Sequence, residues 1–328
     1  MNNPSHIVTA VILSYNSLET LTQVIDAVKN QTYPLSQVIV VDNGSNDGTP
    51  PYLQEQEQDL TLVCLPGNPG IGAGHNAGWR VALADAGCDF IWSLEHDSIP
   101  EVDCLERLIE AYVNHPDKRS IGAIAPIDYS DYRSNDRLFY VWRKNRFIKV
   151  ASIQSRPTLF FTKGFTFNGV LFPTDIIRGV GFLKADFFVG HEDTEYSRRM
   201  RATGFRTLNV PTATIYHNVL RSRKEINLLG RTFLIPNDNL LRSYYSTRNI
   251  IFLEKSRQNI HLLTLKILLK LPISLLYIIL IKDQKLKRLL ARLWAIKDGL
   301  SGNLGCKNYS FLEKHCSTLS DIRPGAAS

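Results

Sequence analysis

Cysteine is scarce in this 328-residue chain: Cys64, Cys88, Cys104, Cys306 and Cys316 form an odd set of five with no CxxC spacing. That argues against a disulfide framework or a zinc knuckle and fits a reducing compartment. A GxxxxGK[ST] loop is absent, and Gly70, Gly72, Gly74 and Gly78 do not follow the GxGxxG order with a later acidic residue. Kinase and dinucleotide readings thereby lose their main support. The first six residues carry no basic cluster and the apolar run 7–13 is broken by Thr9, so a secretory leader is not expected. A groove-reading motif and a base-stacking platform are also missing. The net charge of +7 therefore points to lipid or diphosphate rather than to nucleic acid.

What is present is ordinary globular composition, 44% apolar and 21% charged, enough to bury one large core or two smaller ones. Residues 6–14 read as a buried strand, and 18–30 carry Leu21, Val24, Ile25 and Val28 at helical spacing. Residues 38–41 are a second strand, completing a βαβ unit. A strand at 60–65, a helix at 74–87 and a strand at 90–94 extend the pattern to a parallel, doubly wound sheet. In such sheets ligands bind outside the carboxyl ends of the strands, where the loops 42–49, 67–76 and 95–98 fall. Residues 121–172 read as mixed strands and loops covering the sheet edge. Residues 192–203 read as a helix stopped by Gly204, and 207–216 as a strand ending at His217.

Residues 262–281 are long and apolar enough to span a bilayer, but Lys266, Lys270 and Pro272 oppose this. With Lys282, Lys285, Lys287, Arg288, Arg292 and Lys297 beside them, they predict an interfacial helix pair held by apolar burial and anionic lipid. The alternative is a buried C-terminal helix packed on the catalytic domain. The tail after Asn303 is expected to be loose. The organisation predicted is a catalytic domain over 1–220, linker and acceptor-side helices over 221–260, and an amphipathic helical region over 261–328.

Asp42, followed by Asn43, Gly44 and Ser45 at a strand end, suits hydrogen bonding to a base or ribose, though the same residues make an Asx turn without any ligand. Glu95-His96-Asp97 follows an apolar strand, and strand-end acids recruit a hard cation with a diphosphate. Alternation places Glu95 and Asp97 on one face with His96 turned away; a helix cap, with Pro100 at a helix start, is the competing reading. His191-Glu192-Asp193 precedes a helix, where one acid caps the amides and the other, partly desolvated, is suited to take a proton from a sugar hydroxyl. Asp193 is the candidate base. His217 would complete an oxygen and nitrogen shell if its strand lay beside that ending at Asp97, and Arg221, Arg223 and Lys224 would neutralise leaving-group charge.

The segments 8–16 and 40–49 resemble the opening signatures of family 2 glycosyltransferases. Residues 68–78, 95–97 and 190–193 resemble the later motifs, in order, over 7–217. The resemblance implies a GT-A fold, a mostly parallel α/β sheet flanked by helices, here with a C-terminal helical membrane-associating extension. It also implies inverting transfer of a sugar from a nucleotide diphosphate to an acceptor hydroxyl. Carried over, it makes Asp42 the nucleoside contact, Asp97 the metal-binding acid with Mg²⁺ or Mn²⁺, His217 an additional metal ligand and Asp193 the base. Glu95 stands where the family often has Asp and is long enough to reach the ribose. Ser14, Asn16, Asp42, Asn43, Gly44, Asn68, Gly70, Asn76, Glu95 and His96 are the nucleotide-sugar-binding set, and Glu192 and Trp79 are assigned to the acceptor or donor pocket.

Residues 186–199, with Tyr244-Tyr245-Ser246-Thr247-Arg248-Asn249 downstream, are similar to the rhamnosyltransferase and galactofuranosyltransferase branch. That implies dTDP-rhamnose as donor, with a UDP-linked galactofuranosyl or other hexosyl donor as the alternative. The implied acceptor is a glycan or lipid-linked glycan of cell-surface polysaccharide synthesis, at the cytoplasmic face of the membrane. A non-catalytic sugar- or lipid-binding scaffold and a nucleotidyltransferase are the competing classes. The latter lacks a Gly-rich basic loop after the first strand, where Ser14-Tyr15-Asn16-Ser17 stands.

Overall fold

The computed structural model describes residues 6–129, 138–143, 146–151, 159–217, 223–228, 231–236, 239–256, 260–310 and 312. The chain begins β1 (Val8–Ser14), α1 (Leu18–Lys29), β2 (Gln37–Asp42), α2 (Thr49–Glu55), β3 (Thr61–Cys64), α3 (Ile71–Ala84) and β4 (Phe90–Glu95). It continues with β5 (Ser98–Pro100), α4 (Cys104–Val113), β6 (Ile121–Tyr129), β7 (Leu138–Arg143), β8 (Arg146–Ala151), β9 (Phe160–Thr162), β10 (Val170–Pro173) and α5 (Thr174–Val180). The last elements are α6 (Glu192–Ala202), β11 (Arg206–His217), β12 (Arg223–Leu228), β13 (Arg231–Pro236), α7 (Leu240–Lys255), α8 (Ile260–Ile281) and α9 (Lys285–Ser301).

The main sheet runs β3-β2-β1-β4-β10-β6-β11-β5, with β9 also paired to β11. The first four strands are parallel, as their unbroken apolar runs require: β1 is buried at all seven positions, the mark of a strand covered on both faces. One face packs α1 and α4 through Leu21, Val24, Ile25, Leu105 and Leu108; the other packs α3 and α6 around Trp79, Phe172 and Tyr196. Gly74 and Gly78 let α3 lie close on β1. A Cβ there would stand 2.3 Å from Leu13 Cδ1 and 2.4 Å from Val11 Cγ1 respectively.

Several expectations need correction. The sheet is mixed: β10 is antiparallel to β4, and β6 and β10 are interior strands rather than a cover on the edge. Ser98–Pro100 is a short strand against β11, and the next helix starts at Cys104. Its three residues pair through Ser98↔His217, Ile99↔Tyr216 and Pro100↔Ile215. Cys64, Cys88 and Cys104 are free thiols, whereas Cys306 is disulfide-bonded.

The C-terminal helices divide between the two readings offered for them. Packing of α9 on α7 builds a separate cluster of Phe188, Tyr244, Tyr245, Ala291 and Ala295, while only 6% of the apolar stretch Leu263–Ile281 in α8 is buried. Arg288 is not a surface cation, being 7% exposed and paired to Asp283 at 2.9 Å. Nor is the chain loose directly after Asn303. Gly305 N–H donates to Asp186 O (2.8 Å) and Tyr309 Oη to Asp298 Oδ2 (2.8 Å).

Candidate active site

Three loops at the carboxyl ends of β1, β2 and β3 are sewn together by their own polar side chains. In register, Ser14 lies beside Asp42, and Asn43 N–H donates to Ser14 O at 2.8 Å. Asn16 adopts φ 47°, a region Asn tolerates. Its N–H thereby meets Ser45 Oγ (2.9 Å), and its Oδ1 accepts Asn46 N–H (2.8 Å). Asp42 accepts from Ser45 Oγ (2.5 Å) and N–H (3.1 Å), so the Asx turn is real and holds the carboxylate at the sheet edge. Gly44 is required by φ 80° and by the Gly67 carbonyl carbon, 2.3 Å from where a Cβ would sit.

Asn43 Nδ2 donates to Asn68 Oδ1 (2.8 Å) and Gly70 O (3.3 Å), while Asn43 Oδ1 is buried with no partner among the described residues. Asn68 Oδ1 also accepts Gly70 N–H (3.0 Å). The set therefore runs continuously from Ser14 to Gly70. Two members leave it. Asn76 is 3% exposed and exchanges two 2.9 Å bonds with the Leu183 backbone, so its amide clamps the chain and does not face a ligand. Trp79 is wholly buried, donates its indole N–H to Ser93 Oγ at 2.8 Å and packs on Phe172 and Tyr196. It belongs to the core.

At the next strand end Glu95 closes β4, and His96 and Asp97 form the turn into β5, so strand alternation does not govern their directions. His217, the last residue of β11, is the register partner of Ser98. The strand of His217 thus adjoins the residue after Asp97, through β5 and not β4. Asp128 and Asn168 were missed by the sequence reading. Asn168 Nδ2 donates to Asp128 Oδ2 (2.6 Å), and its Oδ1 lies 3.3 Å from Ser98 Oγ. An acid near the end of an apolar strand, the signal that singled out Asp42, was there to be used for Asp128. Among the described residues no three His, Cys, Asp or Glu side chains group tightly enough to cage a metal.

The third part is the entry to α6. Phe188 (φ 64°, ψ −65°), Gly190 (φ 88°) and His191 (φ 73°) turn the chain through left-handed backbone, with Val189 N–H bonded to Phe187 O at 2.8 Å. Glu192 is 4% exposed and its Oε1 has no partner among the described residues. Burial, then the charges of Asp193 and Glu95, push its carboxyl up to about 8. Asp193 is raised less, to about 6, by burial; bonds from Thr194 N–H (2.5 Å) and Oγ1 (3.2 Å) and the Arg242 charge favour its ionised form. Adjacent carboxyls driven to different proton affinities are a recognised acid/base arrangement. His191 is held neutral, near 4, by burial and Arg198, and its Nε2 lies 3.0 Å from Ser246 Oγ. This segment meets the loop of Asn68 and Gly70 directly, since Ile71 N–H donates to Phe188 O at 2.8 Å.

Residues 9–173, just over half of the chain, match glycosyl transferase family 2. The chain belongs to that family. It is 24% identical to the dTDP-rhamnosyl transferase RfbF of Shigella flexneri over 302 residues, 92% of this chain and 98% of that one. It is 26% identical to the galactofuranosyltransferase GlfT1 of Mycolicibacterium smegmatis over 253 residues, 75% of this chain and 82% of that one. Among solved structures, the mannosyltransferase PcManGT from Pyrobaculum calidifontis, in complex with GDP-Man and Mn²⁺, superposes with a TM-score of 0.52 at 17% identity. That superposition covers 91% of this chain and 77% of that one. The protein is thus a glycosyltransferase with a GT-A fold, and the branch resemblance read from residues 186–199 and 244–249 agrees with these relatives.

Proposed function

We propose that this glycosyltransferase is a metal-dependent inverting enzyme that moves rhamnose from dTDP-rhamnose to a hydroxyl of a glycan or lipid-linked glycan. The observation that carries the reading is the half-buried Asp193 carboxyl beside buried Glu192, on a segment whose backbone touches the loop of Asn68 and Gly70. Donor choice is supported by similarity to RfbF. Similarity to GlfT1 favours a UDP-linked galactofuranosyl donor as the second reading, and hydrolysis of a small donor panel separates them.

In this reading Asp42 and Asn43 receive the nucleoside, with Ser14, Asn16, Gly44, Asn68, Gly70, Glu95 and His96 around it. Asp97 and His217 would hold Mg²⁺ or Mn²⁺. An oxygen and nitrogen donor pair fits either ion when diphosphate and water fill the remaining positions. When bound, such an ion neutralises charge that develops on the leaving diphosphate. Asp193 takes the proton of the acceptor hydroxyl as its oxygen bonds to the anomeric carbon from the face opposite the leaving group. The bond from that carbon to the diphosphate oxygen breaks with its electron pair staying on the diphosphate, which inverts the anomeric centre.

The acceptor side is assigned to residues 221–260, and α8 to the membrane surface at the cytoplasmic face. Leu265, Leu268, Leu269, Ile273, Leu276 and Leu280 form an exposed stripe at helical spacing, with exposed Lys285 and Lys287 beyond it, a pattern suited to anionic lipid. The deciding test is Asp193→Asn: donor binding by titration should persist while transfer disappears. Retained turnover would remove Asp193 as base, and absence of any sugar transfer by the wild type would favour the scaffold reading.

A further inference from the structure

The segment 186–193 departs from ordinary backbone at Phe188, Gly190 and His191. Such conformations are strained at non-glycine residues and persist only where the surroundings over-determine them. The surroundings are one face of α7. Ser246 and Asn249 are spaced three apart, which puts them on a single helical stripe. Asn249 Nδ2 donates to Phe187 O (3.0 Å), Val189 O (3.2 Å) and Gly190 O (2.7 Å). Ser246 Oγ lies 3.0 Å from His191 Nε2. Behind the stripe, Arg248 donates from Nη2 to Asp186 O (3.0 Å) and Phe187 O (2.9 Å), and from Nε to Asn249 Oδ1 (2.9 Å).

Arg248 and Asn249 are both fully buried. A guanidinium and an amide are costly there unless paired, and their partners are mainly the carbonyls of the strained segment. Packing alone would be served by apolar side chains. None of the bonds made by this stripe reaches the loops of Asp42, Asn43 or Asn68.

We propose that Ser246 and Asn249, backed by Arg248, are positioning residues for the base: they hold the segment carrying Asp193 against the loop of Asn68 and Gly70. This rests on Asp193 being the base. Asn249 and Ser246 set where its carboxylate stands, so their loss lowers kcat and leaves donor KM nearly unchanged.

The test is donor hydrolysis by the full chain, with water in place of the acceptor hydroxyl and Mg²⁺ present. The donor is whichever of dTDP-rhamnose, UDP-galactofuranose and UDP-glucose the wild type turns over. Asn249→Ala should lose about 100-fold in kcat at constant KM, the scale of a displacement of about 1 Å. Ser246→Ala removes one bond from a half-buried site, so it keeps the test alive should Asn249→Ala fail to fold; it should lose a smaller factor in kcat alone. Wild-type kcat in Ser246→Ala and Asn249→Ala, or losses appearing in KM, would overturn the proposal. Asp193→Asn in parallel separates the layers: full turnover there removes the base itself. A dead Asp193→Asn beside fully active stripe variants removes only the positioning role.

Discussion

Gly70 and Phe188 meet through backbone alone. A Cβ on Gly70 would sit 2.3 Å from Phe188 O, and the next amide, Ile71 N–H, donates to that same oxygen at 2.8 Å. The donor-side loop and the segment entering α6 are therefore set against each other with no side chain between them.

Gly70→Ala should consequently damage both stability and catalysis. The residue has φ 98° and ψ 167°, a region open essentially to glycine, so strain plus the clash should cost at least about 2 kcal/mol. Thermal denaturation would register this as a clear drop in Tm. An unchanged Tm would mean that the two loops separate easily.

The pH dependence of kcat should show an acid limb near 6. Asp193 accepts a proton only when ionised, and burial holds its pKa at about 6, so activity rises as pH passes through that value. A limb near 4 would contradict this assignment.

Stability should respond to Glu192 in the opposite sense. Its folded pKa, about 8, lies above the reference value of 4.5, so between these the native state binds a proton that the unfolded chain does not. Stability from this group is full below about pH 4.5 and declines as pH rises toward 8. Glu192→Gln should flatten that decline, seen as a smaller loss of urea midpoint between pH 5 and pH 8. An unaltered slope would count against the buried, protonated carboxyl.

Trp79→Phe should lower Tm and leave donor KM alone. The substitution strands the buried Ser93 hydroxyl, a loss of about 1–3 kcal/mol. A selective rise in KM would return Trp79 to the sugar pocket.

For the membrane reading, cosedimentation with vesicles containing anionic lipid should weaken on replacing Lys285 and Lys287 with Gln, by about 1 kcal/mol for each cation near the surface. Binding that is indifferent to both charge and α8 truncation would argue for another partner of the apolar stripe.

Much of the catalytic half was legible because its elements are local. The apolar run of β1, the heptad-like face of α1 and the polar loop after Asp42 are written into consecutive residues. Strand order was not, since β6 and β10 enter the centre of the sheet by pairings far apart in sequence. The reading of residues 121–172 as an edge cover failed for that reason. Trp79 and Asn76 follow a glycine-rich loop in a ligand-like setting, yet helical phase turns both into the protein. The Tyr244 to Asn249 stretch was visible only as a resemblance. That Asn249 meets three carbonyls depends on how α7 docks, which no short-range pattern records.

The Arg248 guanidinium reaches Gly305 O as well as the carbonyls before α6. Shortening the protein at Ser301 to improve its handling would thus cut a tether to the chemistry some 110 residues upstream. Shielding the greasy side of α8 with detergent is the safer route to a working preparation.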